Sequence, residues 1–204
     1  MNLKSPFYIV EEFISPLLCE EIIDICGFTV PDSDKDGNDV KTMKSSERAE
    51  AIIYERLLSL LPELQEYYQF KYKGTEPIMF EWYPEDTKGD MSAENSNFLR
   101  KKWLRTRQRD ITGILFLCDY NDTPTLEQDY EVYGGKLEFP QHSFGFNPQR
   151  GTLIIFPSDP HFINCTSQVF AGELFQSRIQ IAAQEPFLYN PQDFPGNYTT
   201  WFNG

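Results

Sequence analysis

Three observations predict an α+β chain, mainly β with helices confined to its N-terminal part. Short β-rich runs separated by Gly, Pro, Asn and Asp turns follow Gly74. Two stretches before them carry helical spacing with capping residues at their starts. Phe, Trp and Tyr make up 15% of the chain, a level that favours strands. At 204 residues one domain with a real core is expected over 1–204. Within it, 1–75 supplies a strand and supporting helices, 76–186 the β core, and 187–204 an aromatic tail. No repeat, low-complexity tract or linker divides it.

In chain order, 7–10 is β-branched and aromatic and opens as a strand. Ser15-Pro16 then provides an N-cap with proline at the first helical position, predicting a helix over about 16–26. The run 31–38, PDSDKDGN, consists of turn formers and charges, so an exposed loop is expected. Asp32, Asp34 and Asp36 have the spacing of the first EF-hand ligands, but Met43 stands at the twelfth place, where that loop needs Glu. Ser45 or Ser46 caps a second helix, in which Ala49, Ile52, Ile53, Leu57, Leu60 and Leu61 recur at three- and four-residue steps until Pro62 is expected to end it. The β-rich runs are 78–83, 111–117, 136–139, 151–156 and 179–183, and they predict an antiparallel sandwich or barrel. In the tail, Tyr189, Tyr198 and Trp201 are expected to pack on the domain.

The formal net charge of −13 disfavours whole-body nucleic-acid binding and anionic membrane surfaces. No apolar run approaches the roughly 20 residues of a membrane helix, and the first residues lack a signal-peptide core. A soluble, cytoplasmic protein is expected. The four cysteines form no CxxC pair, which fits a reducing compartment without a zinc ribbon or disulfide framework. No GxSxG, GxGxxG, P-loop or HExxH motif occurs.

The second half reads Gly134-Gly135-Lys136-Leu137-Glu138-Phe139, then Pro148-Gln149-Arg150-Gly151-Thr152-Leu153-Ile154-Ile155-Phe156-Pro157-Ser158, then His161, then Arg178 on the strand Arg178-Ile179-Gln180-Ile181. This order of strands, turns, histidine and arginine resembles the prolyl-hydroxylase-like branch of the 2-oxoglutarate and Fe(II)-dependent dioxygenases. The likeness extends from the opening strand and capped helix to about Gln184. It implies a double-stranded β-helix of jelly-roll type, with Fe(II) and 2-oxoglutarate as cofactors and hydroxylation of an unidentified substrate as the activity.

The chemistry constrains the ligands. A mononuclear Fe(II) oxygenase needs two imidazoles and one carboxylate on one face of the metal. Its anionic cosubstrate needs a permanently charged group that grips a carboxylate in two places, as arginine does. The resemblance assigns His161 and Glu94 to the metal and Arg178 to the cosubstrate, with Tyr83 and Thr112 lining it. The gap from His161 to Arg178 is wider than the family's, and residues about 169–175 are expected to form a longer turn or hairpin. The first metal motif departs from the family, because Tyr83-Pro84 leads to Ser92-Ala93-Glu94 in place of HxD or HxE. A neutral hydroxyl is a poor iron ligand. The only other histidine, His142, lies in a turn and is expected to face solvent. If 90–94 is extended, Asp90, Ser92 and Glu94 share a face, and Asp90 becomes a second carboxylate candidate; the competing reading is a turn residue after Lys88-Gly89.

Two functions follow: a dioxygenase-family protein, or a non-catalytic jelly-roll binding module that has lost iron. A metal-dependent cupin requires a His-rich motif that two histidines cannot supply. The basic stretch Arg100, Lys101, Lys102, Arg105, Arg107 and Arg109, with Trp103, is either a solvated loop or a lip that attracts an acidic or phosphate-bearing substrate.

Overall fold

In the computed structural model the described residues are 4–26, 41–43 and 45–195. The acidic loop 31–38, with its calcium-loop spacing, and the tail residues Tyr198 and Trp201 lie outside them. In chain order the elements are β1 (Tyr8–Val10), α1 (Pro16–Ile25), β2 (Lys41–Thr42), α2 (Glu47–Tyr68), β3 (Tyr72–Thr75), β4 (Met79–Tyr83), β5 (Ser96–Leu99), β6 (Lys102–Arg105), β7 (Ile111–Phe116), β8 (Asp119–Tyr120), β9 (Glu131–Gly134), β10 (Leu137–Phe139), β11 (Phe144–Phe146), β12 (Leu153–Pro157), β13 (Cys165–Thr166), β14 (Val169–Gly172) and β15 (Leu174–Ala183).

Both helices start at the expected serines, but only the first serine caps with its side chain: Ser46 stands at the N-cap of α2 without a side-chain hydrogen bond. Ser15 precedes α1 in extended conformation and its hydroxyl accepts from the Leu18 N–H, while Pro16 opens the first turn. In α2 one row, Ala49, Ile53, Leu57, Leu61, Leu64 and Tyr68, is buried. The helix does not end at Pro62, as its sequence predicts, but runs through it to Tyr68. An interior proline costs about 3 kcal/mol. Continuing the helix buries Leu64 and Tyr68 in the core, at about 1.5–3 kcal/mol for a large apolar side chain. The stop comes instead at Gln69, in left-handed conformation at φ 54°.

The major sheet has the order β1-β12-β7-β15-β4-β2, with β3 also paired to β15. Two three-stranded sheets, β14-β9-β8 and β11-β10-β13, complete the double-stranded β-helix. All these pairs are antiparallel except β8 with β9. Period-two alternation assigns the faces. On β15, Phe175, Ile179 and Ile181 join the core under the helices, together with Ile111 and Leu115 of β7 and Leu153 and Ile155 of β12. The alternate residues, including Leu174, Ile114, Phe116, Ile154 and Phe156, pack in the second core with Leu137, Phe139 and Val132 of the smaller sheets. On that inward face β15 also carries Gln176, Arg178 and Gln180. A polar row therefore points into the barrel.

The Gly134-Gly135 corner joins β9 to β10 with φ 94° and 64°. A Cβ at Gly134 would lie 2.2 Å from the Gln168 carbonyl oxygen, so only glycine fits there without displacement. Residues 169–175 do not form the expected turn or hairpin closed on itself: 169–172 is strand β14, which pairs with β9, and the chain then crosses at Gly172-Glu173 into β15 of the major sheet. No helix among the described residues is long and apolar enough to cross a membrane.

All four cysteines are free thiols; Cys19, Cys26 and Cys118 are buried and Cys165 is half-buried. Burial pushes the Cys19 and Cys118 thiols up to about 12 and Cys26 up to about 11. Native protein treated with iodoacetamide at mildly alkaline pH is therefore expected to take up label at Cys165 alone. The other three should react only after denaturation, as read by intact and peptide mass.

Candidate functional site

The inward polar row of β15 meets two carboxylates. Glu81 on β4 pairs in register with Gln176, and Arg178 pairs with Met79. The Gln176 side-chain amide donates to Glu81 Oε2 at 2.6 Å, and the Arg178 Nε donates to Glu81 Oε1 at 3.0 Å. A second Arg178 nitrogen reaches Glu81 Oε2 at 3.3 Å, and the Tyr83 hydroxyl donates to that oxygen at 3.4 Å.

The other carboxylate, Glu94, comes from the irregular segment between β4 and β5. That segment runs beside 158–169: the Gly89 N–H donates to Thr166 O, Ser92 and Asn164 exchange backbone hydrogen bonds, and the Asn95 N–H donates to Ser158 O. The stretch 90–94 is thus not a regular strand; its ladder reduces to one bridge at Ser92, opposite Asn164. Glu94 is buried and takes an Arg178 Nη1–H on Oε1. The Asn164 amide donates to the same oxygen at 3.3 Å, and the Gln180 amide to Oε2 at 2.7 Å. The Gln180 carbonyl accepts from the Thr112 hydroxyl at 2.8 Å, and Thr112 shares a 2.7 Å hydrogen bond with Ser158.

Arg178 is therefore held between Glu81 and Glu94 in a buried carboxylate–guanidinium–carboxylate cluster. Burial alone would lower the guanidinium pKa, but the fields of Glu81 and then Glu94 outweigh it and hold it well above its ordinary value. Burial, reinforced by Glu81, pushes the Tyr83 hydroxyl well above the usual range, so it stays protonated and acts as a donor.

This cluster floors a cavity of about 270 Å³, lined among others by Glu81, Tyr83, Asp90, Ser92, Glu94, Arg107, Asn164 and Arg178. Arg178, Tyr83, Glu94, Asp90 and Ser92 are thus brought together, and Thr112 joins them through Gln180. Asp90 and Ser92 are exposed at the rim.

The histidines stand elsewhere. His161 is two-thirds exposed, on a short turn after β12, with Nδ1 2.7 Å from Asp159 Oδ1. His142 stacks on the Phe162 ring, and its Nε2 lies 2.7 Å from the His161 carbonyl oxygen, so it is half-buried rather than solvent-facing. Neither lines the cavity. The residue that faces Ser92 and Glu94 is Asn164, three positions beyond His161.

An iron centre needs two imidazoles and a carboxylate converging on one point. The cavity offers carboxylates, a hydroxyl, an amide and guanidinium groups, and Glu94 already has both oxygens engaged. Among the described residues no three His, Cys, Asp or Glu side chains are arranged to hold a metal ion. The residues present do not fit an iron site.

Glu81, Gln176, Gln180, Asn164 and Ser158 complete the cluster without having been singled out from sequence. The available signal was Gln176-x-Arg178-x-Gln180 on a strand otherwise apolar, which places three polar side chains on one inward face. Of the basic stretch, Arg109 pairs with Glu76 at 2.6 Å and Arg105 with Asp110 at 2.9 Å, and Arg107 and Arg109 both line the cavity.

No protein-family profile matches the chain, and neither does any curated protein. Solved structures do. The viral collagen prolyl hydroxylase of Paramecium bursaria Chlorella virus-1, in its 2-oxoglutarate complex, superposes with a TM-score of 0.66 at 15% identity, covering 89% of this chain and 97% of that one. A Trichoplax adhaerens prolyl hydroxylase bound to a hypoxia inducible factor oxygen degradation domain peptide gives 0.62 at 15%, covering 87% and 84%. A Pseudomonas putida prolyl-4-hydroxylase gives 0.60 at 14%, covering 89% and 94%. The chain has the fold of the prolyl hydroxylases over nearly its whole length.

Proposed function

We propose that this chain is a binding module on the prolyl hydroxylase fold, in which a closed ion cluster stands in place of an iron centre. One observation carries the reading: the guanidinium of Arg178 is gripped by Glu81 and Glu94. A cosubstrate carboxylate would have to displace one of them and leave a buried, uncompensated charge, at a cost of roughly 3–5 kcal/mol. On this reading Ser92 and Asn164 occupy the positions from which imidazoles would complete a triad with Glu94. The cavity that remains, rimmed by Asp90, Ser92 and Arg107, suits a polar ligand held by hydrogen bonds.

The test is anaerobic incubation with Fe(II), metal analysis after desalting, and succinate release from 2-oxoglutarate in air. The expected result is iron and succinate no higher than in a metal-free control. Stoichiometric iron with keto-acid turnover contradicts the proposal.

The second reading is an Fe(II)/2-oxoglutarate hydroxylase. It is favoured by the fold and by the grouping of Arg178, Tyr83 and Glu94 at one cavity, with Thr112 linked to Glu94 through Gln180. It requires His161 to leave Asp159 and enter the cavity, and both glutamates to release Arg178.

A further inference from the structure

The β5–β6 hairpin leaves the body of the protein from the rim of the cavity. All residues from Asn97 to Gln108 are exposed. Phe98 is 59% exposed, Leu99 48%, Trp103 37% and Leu104 47%. Cross-strand register pairs Phe98 with Trp103, whose rings lie 5.2 Å apart, and places Leu99 and Leu104 on the opposite face. A two-stranded ribbon with apolar side chains on both faces has no core of its own. Six of the chain's 18 basic residues and none of its 31 acidic ones fall between Asn97 and Arg109. The hairpin is thus a cationic, aromatic projection on an anionic body.

The same chain carries the complement. A groove of about 520 Å³ is lined by Ile23, Leu126, Tyr130 and Phe175 together with Asp24, Asp129, Glu131 and Glu173, and no basic residue is among the described residues that line it. Tyr130, Leu126 and Glu131 come from the segment entering β9, and Phe175 from the start of β15. The hairpin returns to the sheet at the start of β7, where Ile111 pairs with Ile181. Phe175 and Ile181 are six residues apart, roughly 20 Å along an extended strand. Groove and hairpin base therefore lie at opposite ends of β15.

We propose that a second copy of this chain is the partner: the β5–β6 hairpin of one protomer docks in the acidic groove of the next. Phe98 or Trp103 fills the apolar floor, while Arg100, Lys101 and Lys102 meet the acidic walls. Because the two surfaces differ, the contact is head-to-tail and propagates into a ring or open chain.

The test is sedimentation of the purified protein over a wide concentration range at low and high salt. The expected mass rises with concentration and falls back in high salt, where exposed charge pairs are screened. Two variants probe the two sides: Phe98→Ser with Trp103→Ser on the hairpin, and Asp129→Lys with Glu173→Lys in the groove. Circular dichroism and melting confirm that each is folded. Each should associate about tenfold or more weakly than wild type, the loss typical of removing central contacts.

Mixed in equal amounts, the two variants should form a dimer that goes no further, since one intact hairpin meets one intact groove. A wild-type chain that stays monomeric throughout overturns the proposal, as does one that binds heparin or an oligonucleotide without self-associating. Association that survives the groove variant, or no dimer on mixing, overturns the head-to-tail contact.

Discussion

Replacing Arg178 with methionine is expected to lower the melting temperature by roughly 10 °C, because it leaves two buried carboxylates unpaired at about 3–5 kcal/mol and a chain of this size loses about 2–4 °C per kcal/mol. The Arg178 side chain is 11% exposed, and those of Glu81 and Glu94 are 14% and 5% exposed, so solvent screens little of that penalty. Neutralising all three together, as Glu81→Gln, Glu94→Gln and Arg178→Met, should recover most of the loss, since a removed cluster strands no charge. Thermal denaturation followed by circular dichroism checks both variants. A single variant that melts within about 2 °C of wild type would mean the glutamates find water or other partners.

The largest gain of function is expected from installing imidazoles opposite each other. On the proposed reading Ser92 and Asn164 flank Glu94 across one antiparallel bridge. The double variant Ser92→His with Asn164→His should therefore acquire one site for a divalent transition ion, where wild type is expected to bind none. Cobalt is a convenient probe, with calorimetry for stoichiometry and visible absorption for ligation by nitrogen. Adding Glu94→Gln should weaken binding strongly, whereas adding Arg178→Gln should tighten it by freeing the carboxylate. If the double variant binds no more cobalt than wild type, the two positions do not converge.

Much of the architecture can be read from residue order. The period-two runs, the Gly134-Gly135 corner and the Ser15-Pro16 cap each carry their own local reason, and the structure realises them. The continuation of α2 through Pro62 could not be read locally, because it depends on the core that accepts Leu64 and Tyr68. The hairpin was legible only as a basic insert. Its turn, Arg100-Lys101, has both residues at positive φ, 49° and 66°, without the glycine or asparagine that usually announces such a turn.

At the site, Glu94 and Arg178 meet as partners of each other. What sets Arg178's role is Glu81, a residue 97 positions away whose approach is fixed by sheet register and leaves no mark in the local sequence. The expectation for His161 comes from the resemblance, which places a ligating histidine after the Phe-Pro-Ser strand end. The chain turns there through a short helix that Asp159 caps, which directs the imidazole outward and brings Asn164 to face Ser92.

The most direct measurement is a crystal structure of the wild-type protein grown anaerobically with excess Fe(II) and 2-oxoglutarate. The expected result is Arg178 still clasped by Glu81 and Glu94, the Asn164 amide on Glu94, and no metal density in the cavity. Iron bound by Glu94 together with an imidazole, or a keto acid seated on Arg178 with Glu81 swung away, would contradict it.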